Sequence, residues 1–113
     1  MNNLYRVSIN GCALNRIIAG KKTIEGRIKR GIFKQINVGD IIQFYNSDNK
    51  CQAKIINIIE YKNILEYLSC ENLDKINPNK SREEIMKIYK KCYPNILNNS
   101  KFFLAIRFKL IDF

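Results

Sequence analysis

The residues best suited to chemistry lie together in residues 20–27, which read GKKTIEGR. This stretch follows an apolar helical pattern and opens a strand pattern, so its charged side chains lie near the point where the chain turns. Side chains alternate along a strand, and Thr23, Glu25 and Arg27 therefore share one face. This face presents a hydroxyl, a carboxylate and a guanidinium side by side, while the other face is apolar and available to a core.

The charged face suits a nucleotide. Arg27 can hold a phosphate through two parallel hydrogen bonds, and Lys22 adds a mobile positive charge. Glu25 repels phosphate, but a carboxylate accepts hydrogen bonds from a base amino group or a ribose hydroxyl. The stretch thus predicts a site in which cations hold the phosphates and an anion reads a base. The alternative is structural: Glu25 and Arg27 pair with each other and hold the sheet together.

Positive charge is concentrated next to this stretch. The chain carries a net charge of +10, and a surface of that charge attracts polyanions. A coding bias toward lysine is a simpler explanation of this charge, which would then be a merely solvated surface. The clustering favours binding, because residues 21–34 contain a single acid, Glu25. The cations that we expect to guide phosphates are Lys21, Lys29, Arg30 and Lys34.

Composition excludes several classes of site. The chain has no histidine, which removes a Ser-His or Cys-His nucleophile and any His–metal site. Its four cysteines are widely spaced without a C-x-x-C pair, so we expect reduced, partly buried thiols, no metal and no cofactor. No apolar run reaches the roughly 18 residues of a membrane span, and no secretory pattern opens the chain. We expect an intracellular protein, cytoplasmic or, if viral, in the host cytoplasm or nucleus.

Hydrophobic periodicity predicts strands at both ends and in the middle of one domain, residues 1–113, with helices between them. Apolar residues on both faces of residues 51–60 predict a strand that is buried on both sides. The order of elements indicates an α+β fold, a small β-barrel of about five to six strands with packed helices. The predicted strands are 4–9, 23–28, 41–45, 51–60 and 102–111, with helices ending at Gly20 and through 61–68, 73–76 and 82–93.

Single side chains mark the faces and ends of these elements. Ile18 extends the apolar stripe of the first helix, and Phe102 opens the inward-facing row of the last strand. Ser81 and Glu84 form a capping-box pattern at the start of the helix that Pro94 closes.

Residues 20–27 resemble the G-x-K-x-x-E-x-R signature of ASCH domains, which are relatives of the PUA-like barrels. The resemblance continues through residues 38–44 (VGDIIQF) and the elements that follow, so it covers nearly the whole chain. It implies a PUA-like β-barrel with a cleft lined by the motif residues, and a role related to RNA. The matching positions are Gly20, Lys22, Glu25 and Arg27.

The resemblance also implies an enzymatic alternative. Some ASCH relatives are amidohydrolases that act on acetylated cytidine, and others resemble ribonucleases. In those amidohydrolases the motif lysine works with a threonine at the position of Glu25, so this chain keeps Lys22 but lacks the nucleophile. Thr23 is no obvious substitute, and residues 77–80 (NPNK) stand near the position of the later catalytic glutamate. Hydrolysis of RNA or a modified nucleoside by Lys22 and Glu25 stays open as an alternative.

The sequence therefore predicts a binding domain rather than an enzyme, with RNA, another single-stranded nucleic acid or a nucleotide as its partner. A module that binds a protein partner, with a vestigial cleft, is a third hypothesis. The expected ligand-binding residues are Lys21, Lys22, Thr23, Glu25 and Arg27, and the expected phosphate contacts are Lys29, Arg30 and Lys34.

Overall fold

Strands from the whole length of the chain join in one sheet in the computed structural model, which describes residues 2–98 and 100–111. Within these residues the strands are β1 (Leu4–Ser8), β2 (Ile24–Ile28), β3 (Ile41–Tyr45), β4 (Lys50–Tyr61) and β5 (Phe103–Leu110). The helices are α1 (Gly11–Ile18), α2 (Ile64–Cys70), α3 (Leu73–Ile76) and α4 (Arg82–Cys92), with 3-10 turns at Gly31–Lys34 and Ile96–Asn98. The predicted α+β class is confirmed. None of the helices among the described residues has the length and apolar character that crossing a membrane requires.

The sheet has the strand order β1-β3-β4-β5-β2 and curls into a half-barrel. β1 runs parallel to β3, and the other neighbouring strands are antiparallel. Residues 24–27 of the charged stretch lie in β2, which is an edge strand because β5 is its single neighbour among the described strands. Arg27 Nη2 lies 3.5 Å from Ser8 O at the end of β1, so the curl brings both edges of the sheet within reach of one side chain.

The end of α1 fixes where the charged stretch begins. Asn10 caps α1 by accepting a backbone hydrogen bond at 2.9 Å. Gly20 has φ +76°, the left-handed conformation predicted for the residue after a helix. The N–H groups of Lys21 and Lys22 both donate to Arg16 O, at 2.9 and 3.1 Å. These bonds turn the chain from α1 directly into β2.

The end of α4 fixes two tyrosines. Ser81 and Glu84 form the predicted capping box at its start. The helix ends at Cys92 and is capped by Tyr93, whose N–H donates to Tyr89 O at 2.8 Å, and Pro94 prevents its continuation. Tyr89 and Tyr93 are therefore held one turn apart at the carboxyl end of α4.

Two apolar clusters cover the two faces of the sheet, and β5 contributes to both because its side chains alternate. The first cluster joins α1 to the strands and includes Val7, Leu14, Ile17, Ile42, Phe44, Ile55, Leu104, Ile106 and Phe108. The second joins α2, α3 and α4 to β2 and β5 and includes Ile24, Ile28, Ile64, Tyr67, Leu68, Ile76, Ile85, Phe103 and Ala105.

The strand that is buried on both faces is β5, whereas the sequence predicts this for β4. Ile56 on β4 is 54% exposed. A bulge between Ile55 and Asn57 shifts the register of β4. The helical layer reaches this strand only at its far end, where Ile59 and Tyr61 join the second cluster. The predicted burial of 51–60 is thus wrong for the outer face near Ile56.

Several other side chains are more exposed than predicted. Ile18 is 38% exposed because Leu14 and Ile17 alone form the buried stripe of α1, and Phe102 is 49% exposed because it precedes β5. All four cysteines are free thiols, but only Cys51 is buried. The exposed thiols lie near the ends of helices: Cys12, Cys70 and Cys92.

Candidate functional site

A cleft runs along the free edge of β2, between α1 and α4. Its volume is about 550 Å³, within the range of roughly 300–1,000 Å³ that is typical of small-ligand sites. Its charged lining residues are Arg16, Lys22, Glu25, Arg27 and Lys80, and its other polar lining residues are Ser8, Asn10, Asn77, Tyr89 and Tyr93.

Lys22, Glu25 and Arg27 form an ion cluster in the wall of this cleft. Glu25 Oε1 lies 3.1 Å from Lys22 Nζ. Glu25 Oε2 accepts a hydrogen bond from Arg27 Nε at 2.8 Å and lies 2.7 Å from Arg27 Nη2. Lys22 and Glu25 are buried, at 5% and 7% exposure, and Arg27 is half-buried. Glu25 and Arg27 therefore form the ion pair of the structural alternative and line the cleft as well.

Lys22 is fixed rather than mobile. Its Nζ donates to Ile24 O at 2.6 Å and to Ile76 O at 2.9 Å, beside the Glu25 carboxylate. An ammonium group carries three protons, so these three oxygen atoms match its full donor capacity. Lys22 thus ties β2 to the end of α3 and does not supply the mobile charge that the sequence predicts.

The ion cluster sets the protonation of its own members. Burial alone would raise the pKa of Glu25, but the charges and hydrogen bonds of Lys22 and Arg27 outweigh burial and hold the pKa below its ordinary value of 4.5. Burial would lower the pKa of Arg27, but the charge and hydrogen bond of Glu25, together with the nearby Tyr93 and Tyr89, outweigh burial and raise it. At neutral pH Glu25 is therefore an anion between two cations.

The lowered pKa of Glu25 predicts how stability changes in acid. A carboxyl group with a depressed folded pKa stabilises the fold above its unfolded pKa, and this contribution is lost as the pH falls through the folded pKa. We expect the difference in free energy of unfolding between wild type and Glu25→Gln to be constant above about pH 5 and to shrink below pH 4.5. Urea titrations from about pH 3 to about pH 7 measure this difference.

The comparison with Glu25→Gln is needed because other carboxyl groups, among them Glu71, also have a lowered pKa. Burial would raise the pKa of Glu71, but the hydrogen bonds from Arg107 and Tyr61 lower it. Both proteins keep Glu71, so its contribution cancels in the difference. A difference that stays constant into acid would show that the ion cluster leaves the pKa of Glu25 unchanged.

Two tyrosine hydroxyls approach β2 at Gly26. The hydroxyls of Tyr67 and Tyr89 lie 2.9 Å apart and share a hydrogen bond. A Cβ at Gly26 would lie 2.5 Å from Tyr89 Oη and 2.6 Å from Tyr67 Oη, so only glycine permits this approach. Burial, followed by the negative charge of Glu25, raises the pKa of Tyr89 above its ordinary range. The wall of the cleft therefore holds a neutral hydroxyl next to an anion.

The backbone of β2 also faces the cleft. Phe108 N donates to Thr23 O at 3.0 Å, and Lys29 N donates to Phe102 O at 2.9 Å. In an antiparallel pair such bonds recur at every second residue, so the odd-numbered residues of β2 bond to β5. The N–H and C=O of Gly26 consequently point toward the free edge of the sheet, where Gly26 lines the cleft.

Two polar groups of the cleft have no partner among the residues that the structure describes. Asn77 Oδ1, just after α3, is buried and accepts no hydrogen bond there. Arg16 on α1 is half-buried, and no described side chain or carbonyl pairs with its guanidinium. Lys80 is partly neutralised, since its Nζ lies 4.0 Å from Glu84. An unpaired buried acceptor and an unpaired cation in one cleft are groups that a ligand would satisfy.

The structure separates the ligand-binding residues that the sequence predicts into two sets. It brings Lys22, Glu25 and Arg27 together at the cleft. Lys21 is exposed and does not line the cleft. Thr23 lines a separate groove with Ile24 and does not line the cleft.

The predicted phosphate contacts are divided as well. Lys29 Nζ lies 2.8 Å from Glu60 and so is paired on the sheet surface. Lys34 is exposed in a 3-10 turn and lies outside the cleft. Arg30 lies beside the cleft, with its guanidinium 5.3 Å from the ring centre of Tyr93. Of these cations, Arg30 is the one that the structure places next to the candidate site.

Sequence reasoning missed Arg16, Gly26 and Asn77. Arg16 lies in the last turn of α1, one turn before Gly20, and that proximity to the motif was the available signal. Gly26 stands inside the motif, where a glycine in a strand indicates close approach by another group. Asn77 follows a helix of four residues and carries no pattern of its own, so only the folded chain places it at the cleft.

Solved structures share this fold over nearly the whole chain. The hypothetical protein PH0355 is 30% identical, with a TM-score of 0.85 over 96% of this chain and 99% of that chain. Protein PF0455 from Pyrococcus furiosus is 26% identical, with a TM-score of 0.77 over 97% of this chain and 99% of that chain. The ASCH protein from Zymomonas mobilis is 16% identical, with a TM-score of 0.62 over 95% of this chain and 66% of that chain. The last similarity shows the fold alone.

The family is shown by a match to nearly all of the sequence. No curated protein matches the chain. The family model of the ASCH domain matches residues 7–112, which contain the ion cluster and every residue that lines the cleft. The predicted resemblance is confirmed, and the chain belongs to the ASCH domain family.

Proposed function

We propose that this chain binds single-stranded RNA or a nucleotide in the cleft, in line with the RNA binding generally proposed for ASCH domains. The observation that carries the proposal is Asn77 Oδ1, a buried acceptor with no partner among the described residues. Leaving such a group unpaired costs about 1–3 kcal/mol, which a ligand that donates a hydrogen bond to it removes. A base amino group is such a donor, and the attached phosphate suits the nearby cation Arg16.

The base lies along the free edge of β2. The N–H and C=O of Gly26 supply one donor and one acceptor there, and the Tyr89 hydroxyl adds a group that can do either. A base edge carries donors and acceptors in a fixed pattern, so a row of fixed protein groups can read it. Recognition by backbone needs no particular side chain, which explains how a glycine can stand at the centre of the site.

The ion cluster supports this edge. Lys22 and Arg27 hold the Glu25 carboxylate in place through contacts that use most of its roughly four lone-pair sites. Glu25 offers its remaining acceptor capacity to the ligand, while the cations set its position. Lys22 and Arg27 therefore mainly orient Glu25 and β2. They contribute less to phosphate binding than their charges alone indicate.

Phosphate contacts come from the rim of the cleft. Arg16 and Lys80 are the lining cations outside the ion cluster. Lys21, Lys29 and Lys34 lie outside the cleft and contribute long-range attraction to a polyanion. Thr23 has no contact with the ligand in this arrangement. The proposal extends to the fold, with the half-barrel and its helices forming a PUA-like barrel that presents the cleft.

Arg16→Gln tests the proposal. We expect this substitution to weaken binding of a short single-stranded RNA about tenfold, because one charged hydrogen bond is lost. We also expect the slope of log affinity against log salt to fall by about 0.7, the value for one phosphate contact on a single strand. Fluorescence anisotropy across a salt series gives both quantities.

Lys54→Gln is the matched control, because Lys54 is an exposed cation on β4 outside the cleft. It removes the same charge and should change the affinity less than twofold. Equal losses in the two variants would mean that diffuse charge attracts RNA and that the cleft is not the site. A protein partner would then be the better hypothesis.

Hydrolysis is the weaker hypothesis on this geometry. A general base must accept a proton, yet the Lys22 ammonium faces three oxygen atoms within 3.1 Å and has no lone pair to offer. Glu25 is an anion held by two cations, and its lowered pKa makes it a poor proton acceptor near neutral pH. Binding therefore accounts for the cleft with fewer requirements than catalysis.

A further inference from the structure

A second concavity opens beside the cleft, and we call it the side pocket. It has a volume of about 360 Å³ and shares Arg27, Cys92 and Tyr93 with the cleft. The residues that line the side pocket but not the cleft come from the end of β2 and the segment after it, and they include Arg30 and Phe33. A smaller hollow of about 200 Å³ continues past Tyr93 and Arg30. The three concavities adjoin one another through shared lining residues, and we call this row of concavities the track.

The side pocket combines aromatic rings with guanidinium groups. Arg30 Cζ lies 5.3 Å from the ring centre of Tyr93, and Arg27 Cζ lies 5.3 Å from the ring centre of Phe33. Flat rings beside cations are the feature by which proteins bind single-stranded nucleic acids, because bases stack on the rings and phosphates meet the cations. None of the described residues that line the side pocket is acidic.

The backbone holds these groups in place. Arg30 N donates to Ile28 O at 2.8 Å, and Gly31 has φ +58°, a left-handed conformation that favours glycine. This turn directs the chain from β2 into the 3-10 turn that carries Phe33. Tyr93 caps α4 on the opposite wall. The two rings thus belong to two ordered elements, one on each side of the track.

We propose that the side pocket binds the nucleotide next to the one in the cleft, so that the ligand is an oligonucleotide of at least two residues. The inference rests on the proposed function of the cleft. The neighbouring base stacks on Tyr93 or Phe33, and the phosphate between the two nucleotides lies near Arg30. Arg27 is the shared residue: it orients Glu25 in the cleft and contributes a wall to the side pocket.

The test compares ligands that differ in length by one nucleotide. Wild type and Arg30→Gln are each titrated by calorimetry with a nucleoside monophosphate and with the corresponding RNA dinucleotide. We expect wild type to bind the dinucleotide about tenfold more tightly than the monophosphate, the gain typical of one stacked base. Arg30→Gln should remove most of that gain and change monophosphate affinity less than twofold. Phe33→Leu, which keeps an apolar side chain but removes the ring, should also reduce the gain.

Arg6→Gln is the matched control. Arg6 lies 4.4 Å from the ring centre of Tyr45, which is the same arrangement, on strands that do not line the side pocket. It should leave the gain from the second nucleotide unchanged. If both ligands bind wild type equally tightly, the side pocket is not a subsite, although the proposed function of the cleft stands. If Arg6→Gln loses this gain to the same extent as Arg30→Gln, diffuse charge explains the gain and the inference is overturned. Failure of both ligands to bind would overturn the cleft proposal and this one together.

Discussion

Replacing Glu25 by glutamine is expected to lower the free energy of unfolding by about 3 kcal/mol, the lower end of the range for breaking a buried ion pair. The substitution keeps the shape of the side chain but removes its charge. Lys22 is 5% exposed and Arg27 is half-buried, so both cations would remain out of water without their common anion. Their mutual repulsion adds to the desolvation cost. Urea unfolding at neutral pH measures the change.

The chain offers a matched control in the Lys29–Glu60 pair. Its two atoms lie 2.8 Å apart, as in the ion cluster, but its side chains are 35% and 41% exposed. Glu60→Gln should therefore change the free energy of unfolding by less than about 0.5 kcal/mol. If Glu25→Gln has an effect as small as Glu60→Gln, the buried cations find other partners and the ion cluster does not hold the fold. The m-value should be unchanged in both variants.

The ion cluster explains why a motif of charged residues can belong to a binding site and yet bind little through its own charges. Lys22 and Arg27 donate their hydrogen bonds mainly to Glu25 and to backbone carbonyls. What this arrangement fixes is the edge of β2, whose backbone groups face the cleft. Preorganised groups lose less entropy on binding, and this is where the ion cluster contributes to affinity. The cations that meet phosphates are then expected elsewhere, at Arg16 and Arg30.

The sequence predicts the local part of this arrangement well. Alternation along residues 23–28 places Glu25 and Arg27 on one face, and two residues on one strand face are close enough to pair. One acceptor of Lys22, the carbonyl oxygen of Ile76, lies 54 residues away in sequence, and no local pattern predicts this contact. The same limit applies to Asn77, which reaches the cleft only because α3 packs against β2. Local spacing finds the motif, whereas tertiary contacts decide what each of its groups does.

The fold shows the same division between what local patterns predict and what tertiary contacts decide. Periodicity predicts the strands because alternation is a property of each strand by itself. Which strand is covered on both faces depends on where the helices lie. Ala105 and Ile106 on β5 are both buried, although Ile56 on β4 belongs to an equally apolar stretch and is exposed. The bulge near Ile56 and the position of the helical layer are features of the assembled sheet, so the sequence pattern does not distinguish the two strands.

Gly26→Ala is expected to lower the free energy of unfolding by about 2–3 kcal/mol, the upper part of the range for overpacking a core. The new methyl group would lie 2.5 Å from Tyr89 Oη, 2.6 Å from Tyr67 Oη and 2.8 Å from Tyr67 Cζ. Tyr67 is completely buried, so its ring has no space into which it can withdraw. Either the ring pair or β2 must shift, and both movements change the edge that faces the cleft. Affinity for RNA should therefore fall in the fraction of the protein that stays folded.

Two further variants separate this clash from a general effect of alanine. Gly11→Ala adds the same methyl group at the start of α1, where the nearest atom is 3.4 Å away, and should change stability by less than about 0.5 kcal/mol. In the Gly26→Ala background, replacing Tyr67 and Tyr89 by phenylalanine removes the two oxygen atoms nearest to the methyl group. The triple variant should regain part of the lost stability, but not all of it, because the ring carbon of Tyr67 remains close. Thermal or urea unfolding of the full cycle gives the coupling energy between Gly26 and the two hydroxyls. If that energy is zero, the cost of alanine arises elsewhere in β2, and the close approach of the tyrosines is not the reason that a glycine stands at the centre of the cleft.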